Sequence, residues 1–316
     1  MTDLHPELDP ATGALLQFLA AAGTPPMSQQ TPEQARAGFR TLAVDLRDDS
    51  LLPPMAEVTD TEVPGPAGSR PARVYRPHAD GPLPTVLFLH GGGFVIGDLD
   101  THDLACRTIA EHSRAVVVSL DYRLAPEHPF PAAVEDTLAA AEWLVEHTGD
   151  LGGDHRTGVA GDSAGGNLAA VTAQHLRDRG HDLTAQLLIY PVTEMGADTD
   201  SFRDNAEGYF LDADTMLWFG AQYAGPAGVD PGDPRLSPRH GDLAGLAPAV
   251  VVTAQFDPLR DDGDGYARAL SDAGVRVEHR QFPGLIHGFV DMGRHSPAAD
   301  AAVLETCRLF GELLHR

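Results

Sequence analysis

Gly161-Asp162-Ser163-Ala164-Gly165-Gly166 centres a serine in the pattern G-x-S-x-G. That pattern describes a nucleophile elbow: a strand ends, the chain turns sharply, and a helix begins with one hydroxyl at the tip. Gly161, Gly165 and Gly166 permit the tight turn and the close packing of strand on helix. Asn167–Leu176 reads as the start of that helix, whose N-terminus concentrates partial positive charge beside Ser163. An ordinary Gly-Ser turn uses the same residue types, so the rest of the chain decides between the two readings.

Outward from the elbow, short apolar runs alternate with helical segments. Gly158–Ala160 is a weak strand leading into the turn. Thr85–Leu89 and Ala115–Leu120 are continuous apolar runs of the kind expected for buried parallel strands. Thr101–His112 between them predicts a crossover helix, and Ala132–His147 a longer helix. Ala185–Tyr190, Ala249–Ala254 and Arg276–Phe282 predict further strands, and Pro297–His315 a closing helix. Such alternation predicts an α/β fold with a mostly parallel central sheet and helices on both faces. Glu57–Val63 and Ala72–Arg76 flank P-G-P-A-G-S and predict an antiparallel pair.

Two regions break this rhythm. Residues 1–50 precede any strand and read as helical. Ala14–Ala22 is apolar, Thr31-Pro32-Glu33-Gln34 is a capping box with Pro at the first helical position, and Phe39, Leu42 and Leu46 share a face. Residues 195–230 begin in a polar loop and continue into a helix capped by Asp212. Tyr209, Phe210, Trp218, Phe219 and Tyr223 gather there, either to pack the helix on its neighbours or to line a substrate pocket as a lid. The expected division is therefore a helical part at 1–50, a catalytic domain at 51–194 and 231–316, and an inserted segment at 195–230.

Composition narrows the function. A net charge of -24 argues against nucleic acid and against anionic membrane surfaces as partners. All 22 basic residues are arginine, which excludes Schiff-base, Ser-Lys and Walker A chemistry. Cys106 and Cys307 are too few for a disulfide framework and suit a reducing compartment. The start of the chain shows neither a basic nor an apolar signal region, and no apolar run reaches the length of a membrane span. A cytoplasmic location is the expectation.

Three further features join Ser163. His90-Gly91-Gly92-Gly93 follows a strand directly, where glycines free backbone N–H groups to face a developing oxyanion. A phosphate loop would need a lysine or a helix start, and Phe94-Val95-Ile96 come next instead. Asp257 follows the strand Ala249–Ala254, and His287 lies in G-L-I-H-G-F after the strand Arg276–Phe282. Asp261, Asp262 and Asp264 are rival carboxylates. Catalytic groups of open α/β sheets sit beyond the carboxyl ends of strands, which favours Asp257. Asp262 and Asp264 precede a predicted helix and suit a capping role, while Asp261 could tie the loop. Ser163, Asp257 and His287 then stand in the order Ser…Asp…His.

H-G-G-G-F (His90–Phe94), D-Y-R-L-A-P-E-H-P-F-P-A-A (Asp121–Ala133), G-D-S-A-G-G-N-L (Gly161–Leu168), D-P-L-R-D (Asp257–Asp261) and H-G-F (His287–Phe289) keep a known order. The chain resembles the hormone-sensitive-lipase-like branch of the α/β-hydrolases, the microbial family IV carboxylesterases. Phe94 departs from the tryptophan of many members. The N-terminal helices and residues 195–230 match the family's cap in position more than in sequence. The resemblance implies an α/β-hydrolase fold with a helical cap, and hydrolysis of short- to medium-chain acyl esters through an acyl-enzyme. Ser163 would be nucleophile, His287 general base and acid, and Asp257 its orienting partner. The N–H groups of Gly92, Gly93 and Ala164 would hold the oxyanion, with Asp121, Arg123 and Glu127 tying loops beneath the site. No cofactor and no metal is implied. A small-molecule ester is the expected partner, and a homodimer is expected because family members are often dimers. Amide hydrolysis or deacetylation of a natural product is a second reading. A non-catalytic small-molecule receptor is a third, disfavoured by the retained His287.

Overall fold

Every residue of Leu83–Leu89 and of Val116–Leu120 is buried, because each strand is covered on both faces. In the computed structural model, which describes residues 5–316, they are β3 and β4 of an eight-stranded sheet. The others are β1 (Glu57–Val63), β2 (Arg70–Arg76), β5 (Gly153–Asp162), β6 (Ala185–Ile189), β7 (Ala249–Phe256) and β8 (Val277–Ile286). The order is β1-β2-β4-β3-β5-β6-β7-β8. β1 and β2 are antiparallel to each other and β2 to β4, and every later pairing is parallel.

Alternation along the strands sorts the core into two layers. Leu87 and Leu89 join one apolar cluster, while Val86 and Phe88 join the other. The first layer takes side chains from α4 (Ala132–His147), α5 (Ala164–Asp178) and α8 (Arg260–Asp272). The second takes them from α3 (Asp103–Ser113) and α9 (Pro297–Leu314). The α/β architecture expected from the alternating pattern, a mostly parallel sheet with helices on both faces, is thus the observed one, and it agrees with the α/β-hydrolase fold that the resemblance implies.

Several boundaries move. β5 runs for ten residues rather than three, because its first half pairs with Leu83 and Thr85 of β3 despite its polar side chains. β8 extends to Ile286, so His287 leaves the sheet directly. The crossover helix starts at Asp103, since Thr101 turns back to hydrogen-bond Asp98.

Before the sheet come α1 (Pro10–Ala21) and α2 (Pro32–Arg40), the latter closed by the reciprocal Thr31–Gln34 capping box. The chain beyond α2 continues as a wider π turn over Thr41–Asp45. Within 195–230 lie α6 (Asp200–Asp204) and α7 (Ala213–Tyr223). Asp212 occupies the N-cap position of α7, but its side chain accepts from Gly208 N (3.0 Å) instead of from the helix. Among the described residues, no helix is long and apolar enough to cross a membrane.

Candidate active site

β5 ends at Asp162 and α5 begins at Ala164, so Ser163 alone makes the turn, at φ 54° and ψ −116°. A residue with a Cβ pays roughly 1–3 kcal/mol for such a conformation and keeps it only where its surroundings over-determine it. Here Ser163 N donates to Ile189 O (2.9 Å) and Asn167 N to Ser163 O (3.0 Å). Glycine is required on both sides. A Cβ on Gly165 would overlap Leu89 O, and one on Gly161 would overlap Gly165 O.

The parallel register brings the other predicted residues to the same edge. His287 Nε2 lies 3.0 Å from Ser163 Oγ, and His287 Nδ1 lies 2.8 Å from Asp257 Oδ2. Asp257 is fully buried directly after β7, and its second oxygen accepts from Leu259 N (2.8 Å). The rival carboxylates face elsewhere. Asp261 accepts from Ser201 N (2.8 Å). Asp262 accepts from Thr193 N (2.8 Å), Glu194 N (3.2 Å) and the Thr193 hydroxyl. Burial pushes the Asp262 carboxyl up, to about 6, against the pull of these donors. Asp264 binds Thr253 Oγ1 (2.7 Å), His279 Nε2 (2.9 Å) and Gln281 Nε2 (2.8 Å). Neither Asp262 nor Asp264 caps α8. That helix starts at Arg260, so both lie inside it and reach sideways to the strands and loops it covers.

Over Ser163 lies the His90–Gly93 loop. Gly92 and Gly93 take φ 112° and 59°, in the left-handed half of backbone space where glycine carries little penalty. A Cβ on Gly93 would strike the Phe219 ring of α7. Among the described residues, the N–H groups of Gly92, Gly93 and Ala164 have no acceptor. Ala164 is fully buried, where an N–H group is rarely left unpaired. His90 supports the loop from within, its ring stacked on Tyr122 at 4.3 Å, with Tyr122 Oη donating to His90 O (2.6 Å). Burial, with His102 beside it, drives the His90 imidazole down to about 4, so it is neutral near pH 7.

Two supports were not read from the sequence. Asp162 Oδ1 accepts from Gly91 N (2.8 Å), and His102 Nε2 lies 3.7 Å from the same oxygen. Burial alone would raise the Asp162 carboxyl, but His102 and the Gly91 N–H outweigh it and hold it below the ordinary range. Its signal was an acidic residue inside an otherwise small and apolar turn. Arg36 of α2 donates Nε to Val95 O (2.8 Å), Nη2 to Ala125 O (2.8 Å), and grips both oxygens of Glu127 (2.7 and 2.6 Å). The expected ties at 121–127 appear in this form. Glu127 pairs with Arg36 and Arg123 with Asp136 (2.9 Å), while Asp121 contributes its carbonyl to Arg70 (3.1 Å).

A cavity of about 1330 Å³ opens over Ser163 and His287, walled by α1, the residues after α2, and α7. Leu15, Leu19, Phe39, Met216 and Phe219 give it an apolar lining. Phe18, Leu46 and Leu217 stand exposed at its mouth. Among the described residues, no group of three His, Cys, Asp or Glu is placed to hold a metal ion.

A serine at a strand–helix elbow, beneath a glycine loop and beside an Asp-paired histidine, defines a hydrolase of the α/β-hydrolase class. Residues 86–291 match the family model for the alpha/beta hydrolase fold. The chain is 43% identical over 314 residues to carboxylesterase NlhH of Mycobacterium tuberculosis, covering 95% of this chain and 94% of that one. It is 49% identical over 244 residues to carboxylic ester hydrolase LipN of the same organism, covering 75% of this chain and 65% of that longer protein. An α/β-hydrolase enzyme from the metagenome of Lake Arreo superposes with a TM-score of 0.93 at 41% identity, over 99% of this chain and 100% of that one. The chain belongs to the α/β-hydrolase family, in its hormone-sensitive-lipase-like, family IV branch, and is a carboxylic ester hydrolase.

Proposed function

We propose that the chain is a serine carboxylesterase that cleaves short- to medium-chain acyl esters through an acyl-enzyme. The observation that carries this reading is His287, bridging Ser163 Oγ at 3.0 Å and Asp257 Oδ2 at 2.8 Å. Ser163 Oγ attacks the ester carbonyl carbon as His287 Nε2 accepts its proton. Asp257 fixes the tautomer through Nδ1–H and stabilises the imidazolium. The tetrahedral oxyanion sits on the N–H groups of Gly92, Gly93 and Ala164. Collapse expels the alcohol, which takes the proton from His287. A water then repeats the sequence on the acyl-enzyme and releases the acid and Ser163. Residues 5–50 and 195–230 form the cap over the cavity, whose apolar lining suits an acyl chain. A relative in Pseudomonas putida, 38% identical over 310 residues, is named ethyl acetate hydrolase, which supports a small ester as substrate.

The test is hydrolysis of p-nitrophenyl butyrate by the whole chain and by Ser163→Ala. Turnover should fall by about 10⁶-fold, the loss seen on removing a triad serine, while thermal melting is unchanged. An organophosphate should label Ser163. Labelling at another serine, or retained turnover in the alanine variant, overturns the reading.

A further inference from the structure

Two hydrogen bonds hold the His287 ring at its opposite nitrogens, to Asp257 Oδ2 (2.8 Å) and to Ser163 Oγ (3.0 Å). Two such contacts fix an axis through the ring but leave its plane free to rock about that axis. A third contact, against a face of the ring, is needed to set the plane.

Tyr190 makes that contact. Its ring centroid lies 4.4 Å from that of His287, with the planes tilted by 50°. The residue is only 1% exposed. Its ring also meets Phe289 edge-on, at 5.3 Å and 80°. Tyr190 N donates to Val252 O (2.7 Å), anchoring it to β7. Its neighbour Ile189 accepts the Ser163 N–H (2.9 Å), so one strand end positions both the nucleophile and the ring beside its base.

The backbone at Tyr190 is bent to achieve this. Tyr190 takes φ 35°, in the left-handed region that side-chain-bearing residues seldom occupy. Along β6, Leu187 and Ile189 point into one layer of the core and Leu188 into the other. A regular strand would send Tyr190 to the layer of Leu188. It joins the layer of Ile189 instead, where its ring meets His287. Among the described residues the Tyr190 hydroxyl makes no well-formed hydrogen bond, though the Val290 backbone lies beside it, so the Tyr190→Phe variant is what separates the ring from the hydroxyl. Backbone strain of this kind concentrates at functional sites, where surrounding structure maintains it.

We propose that Tyr190 is a positioning residue for His287, its aromatic face fixing the plane of the imidazole against Ser163. It rests on the triad reading above and goes beyond it. The ring does the positioning and the hydroxyl does not.

The experiment compares Tyr190→Phe, Tyr190→Leu and Tyr190→Met in the whole chain. Tyr190→Phe should keep kcat within about threefold, whereas the aliphatic variants should lose about 10- to 100-fold in kcat, the cost of misaligning a reacting group. Tyr190 also lines the cavity beside His287, so positioning is read in kcat, and a change confined to KM would make it a substrate-wall residue and overturn the proposal. Phosphonylation of Ser163 should slow in step with kcat. The low-field proton resonance of His287 Nδ1–H should be retained in Tyr190→Phe and broadened in the aliphatic variants. Tyr190→Met is flexible enough to fill the site if Tyr190→Leu does not fold. Aliphatic variants that melt earlier yet keep kcat and the proton signal would reduce Tyr190 to a packing residue and overturn the proposal. A Tyr190→Phe variant as damaged as the aliphatic ones would overturn it by assigning the role to the hydroxyl. An active Ser163→Ala enzyme would instead remove the triad reading, so the two failures are distinct.

Discussion

Asp257 and Asp262 are both buried carboxylates at the junction of β7 and α8, and what faces them separates their roles. Asp257 meets the His287 imidazole, whereas Asp262 meets Thr193 and Glu194 of the loop after β6. Asp257→Asn should preserve the fold but admit the wrong histidine tautomer. A kcat loss of about 10⁴, the size of the corresponding change in a serine protease triad, is expected. Asp261→Asn and Asp264→Asn should keep most of kcat and change melting by roughly 0.5–2 kcal/mol through lost hydrogen bonds. A collapse of kcat in either, with Asp257→Asn active, would move the triad to another carboxylate. Asp262 gives a pH signature. Its folded carboxyl titrates near 6, above the unfolded value. As pH rises from about 4 to 6, the unfolded chain loses this proton first, so stability falls over that window and the loss is complete above it. The order of magnitude is up to about 3 kcal/mol. Asp262→Asn should lack this decline, so its melting deficit relative to wild type should be smaller at pH 8 than at pH 4.5. An unchanged deficit would show that burial does not control this carboxyl.

At the scale of elements, α2 does more than cover the sheet. Its Arg36 bonds the carbonyls of Val95 and Ala125, fastening the helix to the chain that continues the His90–Gly93 loop. The Glu127 side chain is 48% exposed, so that ion pair by itself contributes little, about 0–1 kcal/mol. The two carbonyl bonds matter more, because an acceptor left without its donor costs about 1–3 kcal/mol. Arg36→Ala should therefore lower both the melting point and kcat, as the oxyanion loop loses its outer brace. Glu127→Gln should stay close to wild type in kcat, since it leaves both carbonyl bonds in place. Equal effects in the two variants, read by turnover and melting together, would mean the ion pair is the brace. The capping box at Thr31–Gln34 was legible as a local pattern of four residues, but the reach of Arg36 was not. Nothing in the neighbourhood of Arg36 in sequence marks Val95 as its partner.

Across the whole molecule, the apolar cavity is closed by the N-terminal helices, by segments from the middle of the chain and by the loops after β7 and β8. Deleting residues 1–45 removes the wall made by α1 and the chain after α2, and with it Leu15, Leu19 and Phe39. The ranking of p-nitrophenyl esters by acyl length should then change, and the exposed wall should lower solubility. Arg36→Ala, which leaves the wall, should scale all chain lengths alike, separating loss of the brace from loss of the wall. An unaltered ranking in the truncated chain would argue against its role as cap. Local chemistry was readable along the chain: the elbow at Ser163, the glycine loop after His90, the alternation that builds the parallel sheet, and the order Ser163…Asp257…His287. These were legible because backbone turns and strand periodicity are carried by neighbouring residues. The length of β5, the partners of Asp262 and Asp264, the Arg36 brace and the placing of Tyr190 were decided only by tertiary structure. Each depends on groups far apart in the chain, brought together by the register of the sheet. Ser163 and His287 are 124 residues apart, and they meet because parallel strands end on one edge.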